Sequence, residues 1–102
     1  MIDENIRKLA KDLLDIYEHA YNLYKIDVDY IITNNVKDIN YIERILDYVL
    51  SIYTEKGFNL FLLLLLYYKD VNYQNAKTYL EILKEERSEE YHDFIKKLKL
   101  NH

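Results

Sequence analysis

The chain has no cysteine, no proline, no tryptophan and a single glycine, Gly57, in 102 residues. Each absence removes a class of protein. Without cysteine there is no disulfide framework, no thiolate zinc site and no thiol nucleophile. One glycine cannot build a glycine-rich loop that brings backbone amides onto a phosphate. Nor does glycine flank Ser51 or Ser88 as a nucleophile elbow requires. The tight turns of a strand-rich fold lack their usual residues, whereas long helices meet no proline to break them. The longest apolar run, Leu60 to Tyr68, is nine residues, against the roughly 20 that cross a bilayer as a helix. A basic surplus is missing too: 14 Lys and Arg stand against 18 Asp and Glu, a net charge of −4. Phosphate neutralisation dominates nucleic-acid affinity, so direct DNA or RNA binding and anionic membrane surfaces are both disfavoured. The start, Met1 to Asn5, is polar and acidic rather than basic and then apolar, so a secretory leader is not expected and a cytoplasmic location is.

What is present suits a helical domain. Half of the residues are hydrophobic and 31% are charged, enough for a core and a solvated surface in one domain over residues 1–102. The expected fold is all-α, a small bundle of four or five helices around a central apolar helix, Leu60–Tyr68. Tyr, Ile, Lys and Asn make up 44 of the 102 residues. All four have AT-rich codons, which points to a low-GC genome such as that of a Gram-positive bacterium or its phages.

The clearest helix opens the chain. Ile2, Ile6, Leu9, Leu13, Ile16, Ala20 and Leu23 alternate steps of four and three, which keeps them on one helical face, read here as the inner one. Asp3 is placed to cap it. Lys25 to Asn35 alternates like a strand. With no partner strand in the sequence, it reads better as a short separate helix capped by Asp27 or Asp29 and ended by Asn34-Asn35. A second long helix starts near Asn35 or Asp38 and runs to about Glu55, with Ile39, Ile42, Leu46, Val49 and Tyr53 as its seam. Gly57 stands where a C′ residue belongs. Asn59 then caps the apolar helix and Asn72 the next one. Beyond Tyr73, the apolar positions Ala76, Tyr79, Leu80 and Leu83 are separated from Tyr91, Phe94, Ile95 and Leu98. The intervening Lys84–Glu90 stretch offers nothing to bury; its residues would allow one long helix or a break at Ser88, and a break or bend is the reading preferred.

No residue set carries chemistry. Glu89 and His92 form a Glu-x-x-His, but only one copy exists where a di-metal bundle uses two with further glutamates. Asp15 and His19, one turn apart, read as a surface pair. Catalytic residues, cofactors and metals are therefore expected to be none, and the protein is not expected to be an enzyme. A helix-turn-helix reading would expose Tyr73, Gln74, Asn75, Lys77, Thr78 and Glu81, but few cations would serve phosphates there.

Two features favour protein binding. Glu81, Glu85, Glu86, Glu89, Glu90 and Asp93 accompany only Lys84 and Arg87 between residues 81 and 93, an acidic segment suited to a basic protein surface. The 12 tyrosines exceed what a small core can centre; Tyr67, Tyr68 and Tyr73 are candidates for an interface rim. The expected function is a non-enzymatic protein-binding module. One concrete form is an inhibitor encoded by a phage or mobile element that docks on a basic surface of a host defence complex. Alternatives are a self-associating structural protein, with a homodimer through the apolar helix, and a DNA-binding regulator using the Tyr73–Lys84 helix.

Overall fold

The computed structural model describes residues 3–100, and their side chains except at 94 and 97–100. Five helices follow one another: α1 (Glu4–Thr33), α2 (Ile39–Leu50), α3 (Glu55–Val71), α4 (Tyr73–Glu86) and α5 (Ser88–Leu100). Among the described residues there is no strand. The all-α bundle expected from the sequence is what forms. Ile2, His102 and the side chains of Phe94 and Leu98 lie outside the described residues.

The helix starts follow from short polar side chains that satisfy the first exposed amides. Asp3 accepts from the Asn5 amide at 2.9 Å, Asp38 from Tyr41 at 3.3 Å and Asn72 from Asn75 at 3.0 Å. Thr54 does the same for Gly57 at 3.1 Å. α3 therefore starts at Glu55, and the expected cap at Asn59 lies inside it.

Three further boundaries differ from expectation. Lys25 to Thr33 is no separate helix but the end of α1, which runs unbroken for 30 residues. Val28 and Ile31 both turn inward and are fully buried there, a three-residue step that only a helix gives. α1 stops as expected at Asn34-Asn35. Asn35 takes a positive φ of 52°, and the amides of Asn35 and Val36 bond back to the carbonyls of Ile32 and Ile31, a Schellman ending. α2 stops at Leu50, short of Glu55. Gly57 is not a C′ residue; it lies in the first turn of α3, where a Cβ would come within 2.5 Å of the Ile52 carbonyl. The expected break before α5 is real: α4 ends at Glu86 and α5 begins at Ser88.

The chain divides into two compact units, Met1–Leu64 and Leu65–His102. In the first, α1 packs on α2, and the buried side chains include Val28, Ile31, Ile42, Ile45, Leu46, Val49, Ile52, Phe58, Phe61 and Leu64. Burial of each large aliphatic contributes about 1.5–3 kcal/mol. Tyr24 stacks on Tyr48 at 5.2 Å, and the Tyr41 hydroxyl donates to Asp27 at 2.8 Å. Lys56 of α3 reaches Glu18 at 3.2 Å and lies over the Tyr21 ring. In the second unit, α4 packs on α5 and Leu65, Tyr68, Ala76, Tyr79 and Leu83 are buried. Along the apolar run, Leu60, Phe61, Leu62, Leu64, Leu65 and Tyr68 are buried, while Leu63 and Leu66 are about half exposed.

The largest departure concerns α1. The face read as inner is mostly bare. Ile6, Leu9, Leu13, Ile16 and Leu23 are exposed, and Ala20 is only half covered. The covered residues lie to one side of that stripe and begin only near the middle of the helix; they include Tyr17, Tyr21, Tyr24, Val28 and Ile31.

Candidate protein-interaction surfaces

The chemistry-bearing pairs stay apart from any enclosed site. Asp15, His19, Glu89 and His92 are all exposed. Among the described residues no cluster of His, Asp and Glu is placed to hold a metal ion, and no helix is long and apolar enough to cross a membrane. Tyr41 is shifted in acidity. Its phenol is pushed above the ordinary value of 10.0, first by burial and then by its hydrogen bond to, and the charge of, Asp27. That is a structural contact between α1 and α2 rather than a reactive one.

The acidic segment is divided by the fold. Glu81 and Glu85 border an open cleft of about 560 Å³ between α4 and α5, shared with Lys77, Leu80, Lys84 and Tyr91. Two lysines among the lining residues dilute the negative field there. Glu86, Glu89 and Asp93 are exposed, and Glu89 and Asp93 stand one turn apart on α5. Glu90 is half-buried and accepts from Arg87 at 3.3 Å. Arg87 corrects the expectation that Lys84–Glu90 has nothing to bury: its side chain is inside, with the residue only 5% exposed. An arginine stem can be covered when its guanidinium finds a carboxylate. Here the Arg87 amide also ends α4 on the Leu83 carbonyl, and its own carbonyl starts α5 by accepting from Tyr91.

The three candidate tyrosines also separate. Tyr73 is exposed and Tyr67 half-buried. Tyr68 is 0% exposed, so it has no surface to offer a partner. Its ring meets Tyr79 edge-on at 6.4 Å, and its hydroxyl accepts from the Asn75 side chain at 3.2 Å. That contact turns the Asn75 amide toward Tyr68, away from the adenine-reading role the helix-turn-helix alternative would give it. Thr78 likewise bonds back to the Gln74 carbonyl at 3.2 Å.

The surface that stands out was not among the candidates. Ile6, Leu9, Leu13, Leu14, Ile16, Leu23 and Ile26, all on α1, are between 45% and 68% exposed. Scattered apolar side chains are ordinary on a protein surface, whereas a contiguous row is not. Here Ile6, Leu9, Leu13, Ile16 and Leu23 form such a row along one face of the helix for nearly five turns, while Leu14 and Ile26 stand about 100° or more round the helix from it. Charged side chains of both signs, Arg7, Lys8, Lys11, Asp12, Asp15 and Glu18, occupy other faces of the same stretch of helix. The signal was in the sequence as the step of four and three. Periodicity says which residues share a face and leaves open what covers them.

Comparison with known proteins gives no match: no family model, no curated protein and no solved structure is similar to this chain.

Proposed function

We propose that this chain is a non-enzymatic protein-interaction module that docks through the apolar row of α1. The observation that carries the reading is the exposure of five side chains, Ile6, Leu9, Leu13, Ile16 and Leu23, on one face of a regular helix. A helix lays such a face into an apolar groove or against another helix, reading its partner at every third or fourth residue. The exposed area of these five, on the order of 550 Å², is most of the roughly 800 Å² that each partner gives to a standard interface. Photo-crosslinking side chains placed singly at Leu9 and Ile16 are expected to give covalent adducts of protein mass in producing cells. The same probe at Asn40, exposed at the start of α2, is expected to give none. Equal yields at all three positions, or none at any, would remove the reading.

The exposure of Glu86, Glu89 and Asp93 supports a second reading, contact with a basic protein surface. Replacing the three by lysine is then expected to slow association in low salt, since rim charge acts mainly on the on-rate.

A further inference from the structure

We propose that the partner of the α1 face is a second copy of this chain, the two helices running antiparallel; this deepens the docking reading and rests on it. Three observations lead there.

The first is spacing. From Ile6 the steps of three and four continue through Leu9, Leu13, Ile16 and Ala20 to Leu23. That is the seam of a helix that pairs with another helix of the same period. Two such seams mesh antiparallel when Ile6 meets Leu23 of the other copy, Leu9 meets Ala20 and Leu13 meets Ile16. Every position of one seam then finds a seam position on the other. The smallest member, Ala20, stands opposite a leucine. In this register the Asp12 carboxylate comes beside the imidazole of His19 on the second copy, twice by symmetry.

The second is coverage. α1 is 30 residues long, about 45 Å. Its residues with reduced exposure begin only at Tyr17, and the half before that is exposed at every described position. The antiparallel register sets the covered half of each copy level with the bare half of the other. A parallel pair leaves both bare halves together at one end.

The third is area and charge. Two copies would cover about 1,100 Å² from the seam side chains alone, near the lower edge of the roughly 1,200–2,000 Å² of specific stable complexes, and the flanking side chains add to it. The same stretch of helix carries three basic side chains, Arg7, Lys8 and Lys11, and three acidic ones, Asp12, Asp15 and Glu18, so no strong field selects a partner of opposite charge.

The test uses the full chain. Light scattering across a concentration series is expected to show a dimer. Leu9→Glu and Ile16→Glu, at positions more than 60% exposed, are each expected to raise the dimer dissociation constant at least about a hundredfold by placing a carboxylate in an apolar seam. Under dilute conditions, where the parent is separated too, their helical circular dichroism should match that of the parent. Orientation is read from disulfides, since the chain has no cysteine of its own. A mixture of Ile6→Cys and Leu23→Cys is expected to cross-link between copies, while Ile6→Cys alone is not, because its two copies stand about 25 Å apart. A monomer at every concentration, or a dimer that survives both glutamates, overturns the proposal. Self-cross-linking of Ile6→Cys overturns the antiparallel arrangement. A monomer whose Leu9 and Ile16 probes still capture a different protein ends this inference and keeps the docking reading; loss of both ends both.

Discussion

Replacing Gly57 by alanine should destabilise the protein although the residue is helical. Propensity alone predicts the reverse, since alanine is favoured over glycine by up to about 1 kcal/mol in a helix interior. The structure places the new methyl 2.5 Å from the Ile52 carbonyl oxygen, 2.6 Å from its Cγ2 and 2.7 Å from its Cβ. Ordinary carbon contacts lie near 3.5–4.0 Å, so about 1 Å of relief is needed. Ile52 is poorly able to give it. The residue is 1% exposed, its amide donates to the Val49 carbonyl at 3.0 Å and its carbonyl accepts from Thr54 at 3.0 Å. Overpacking of this kind costs about 1–3 kcal/mol, and loosening the Thr54 bond adds about 1 kcal/mol. After the propensity gain, a net loss of about 2 kcal/mol remains, or on the order of 10 °C in Tm for a chain of this size. Urea unfolding followed by circular dichroism would measure it as a lowered midpoint at unchanged slope. An alanine variant as stable as the parent, or more so, would refute the reasoning.

Two further predictions follow from burial and from acidity. Leu46→Ala, at a fully buried site, is expected to cost about 2–5 kcal/mol. Leu9→Ala, more than two-thirds exposed, should leave the unfolding free energy of the separated chain within about 0.5 kcal/mol; the comparison is made under dilute conditions. The raised pKa of Tyr41 means that the fold favours its protonated phenol. Its contribution is complete below the ordinary value of 10.0 and disappears as pH climbs through the raised folded value. Tyr41→Phe should therefore be less stable than the parent at neutral pH, by about 1 kcal/mol for the lost bond to Asp27. That difference should narrow above pH 10. A difference that stays constant to high pH would count against the Asp27 contact.

The sequence showed most of the helical frame because the signals there are local. Asp3 and Asn72 announce their helices by side chains that reach amides two or three residues on. Asn34-Asn35 ends α1 because asparagine tolerates the left-handed backbone, and Ser88 marks the start of α5. Lys25 to Thr33 misled because alternating apolar and acidic residues fit a strand as well as one flank of a helix. Gly57 misled because a glycine that ends a helix and a glycine that admits a neighbouring carbonyl are the same letter. The site was harder. Whether Tyr68 or Tyr73 reaches the surface depends on residues far along the chain, and so does the choice between core and partner for the α1 row. The burial of Arg87 has a local cue, Glu90 three residues on, but an acidic stretch with both residues solvated would read the same.

The bare half of α1 bears on rate and affinity as well as on partner choice. About a dozen residues of helix carry no tertiary support in the separated chain, a length at which isolated helices are marginal in water. Their amides should exchange with solvent early, well before those of α2, and should slow only when the apolar row is covered. Part of the free energy of docking then goes into holding the helix itself. The complex should be weaker than its area suggests and quick to come apart. Such a helix acts as a sensor of occupancy: its order reports whether the partner is there.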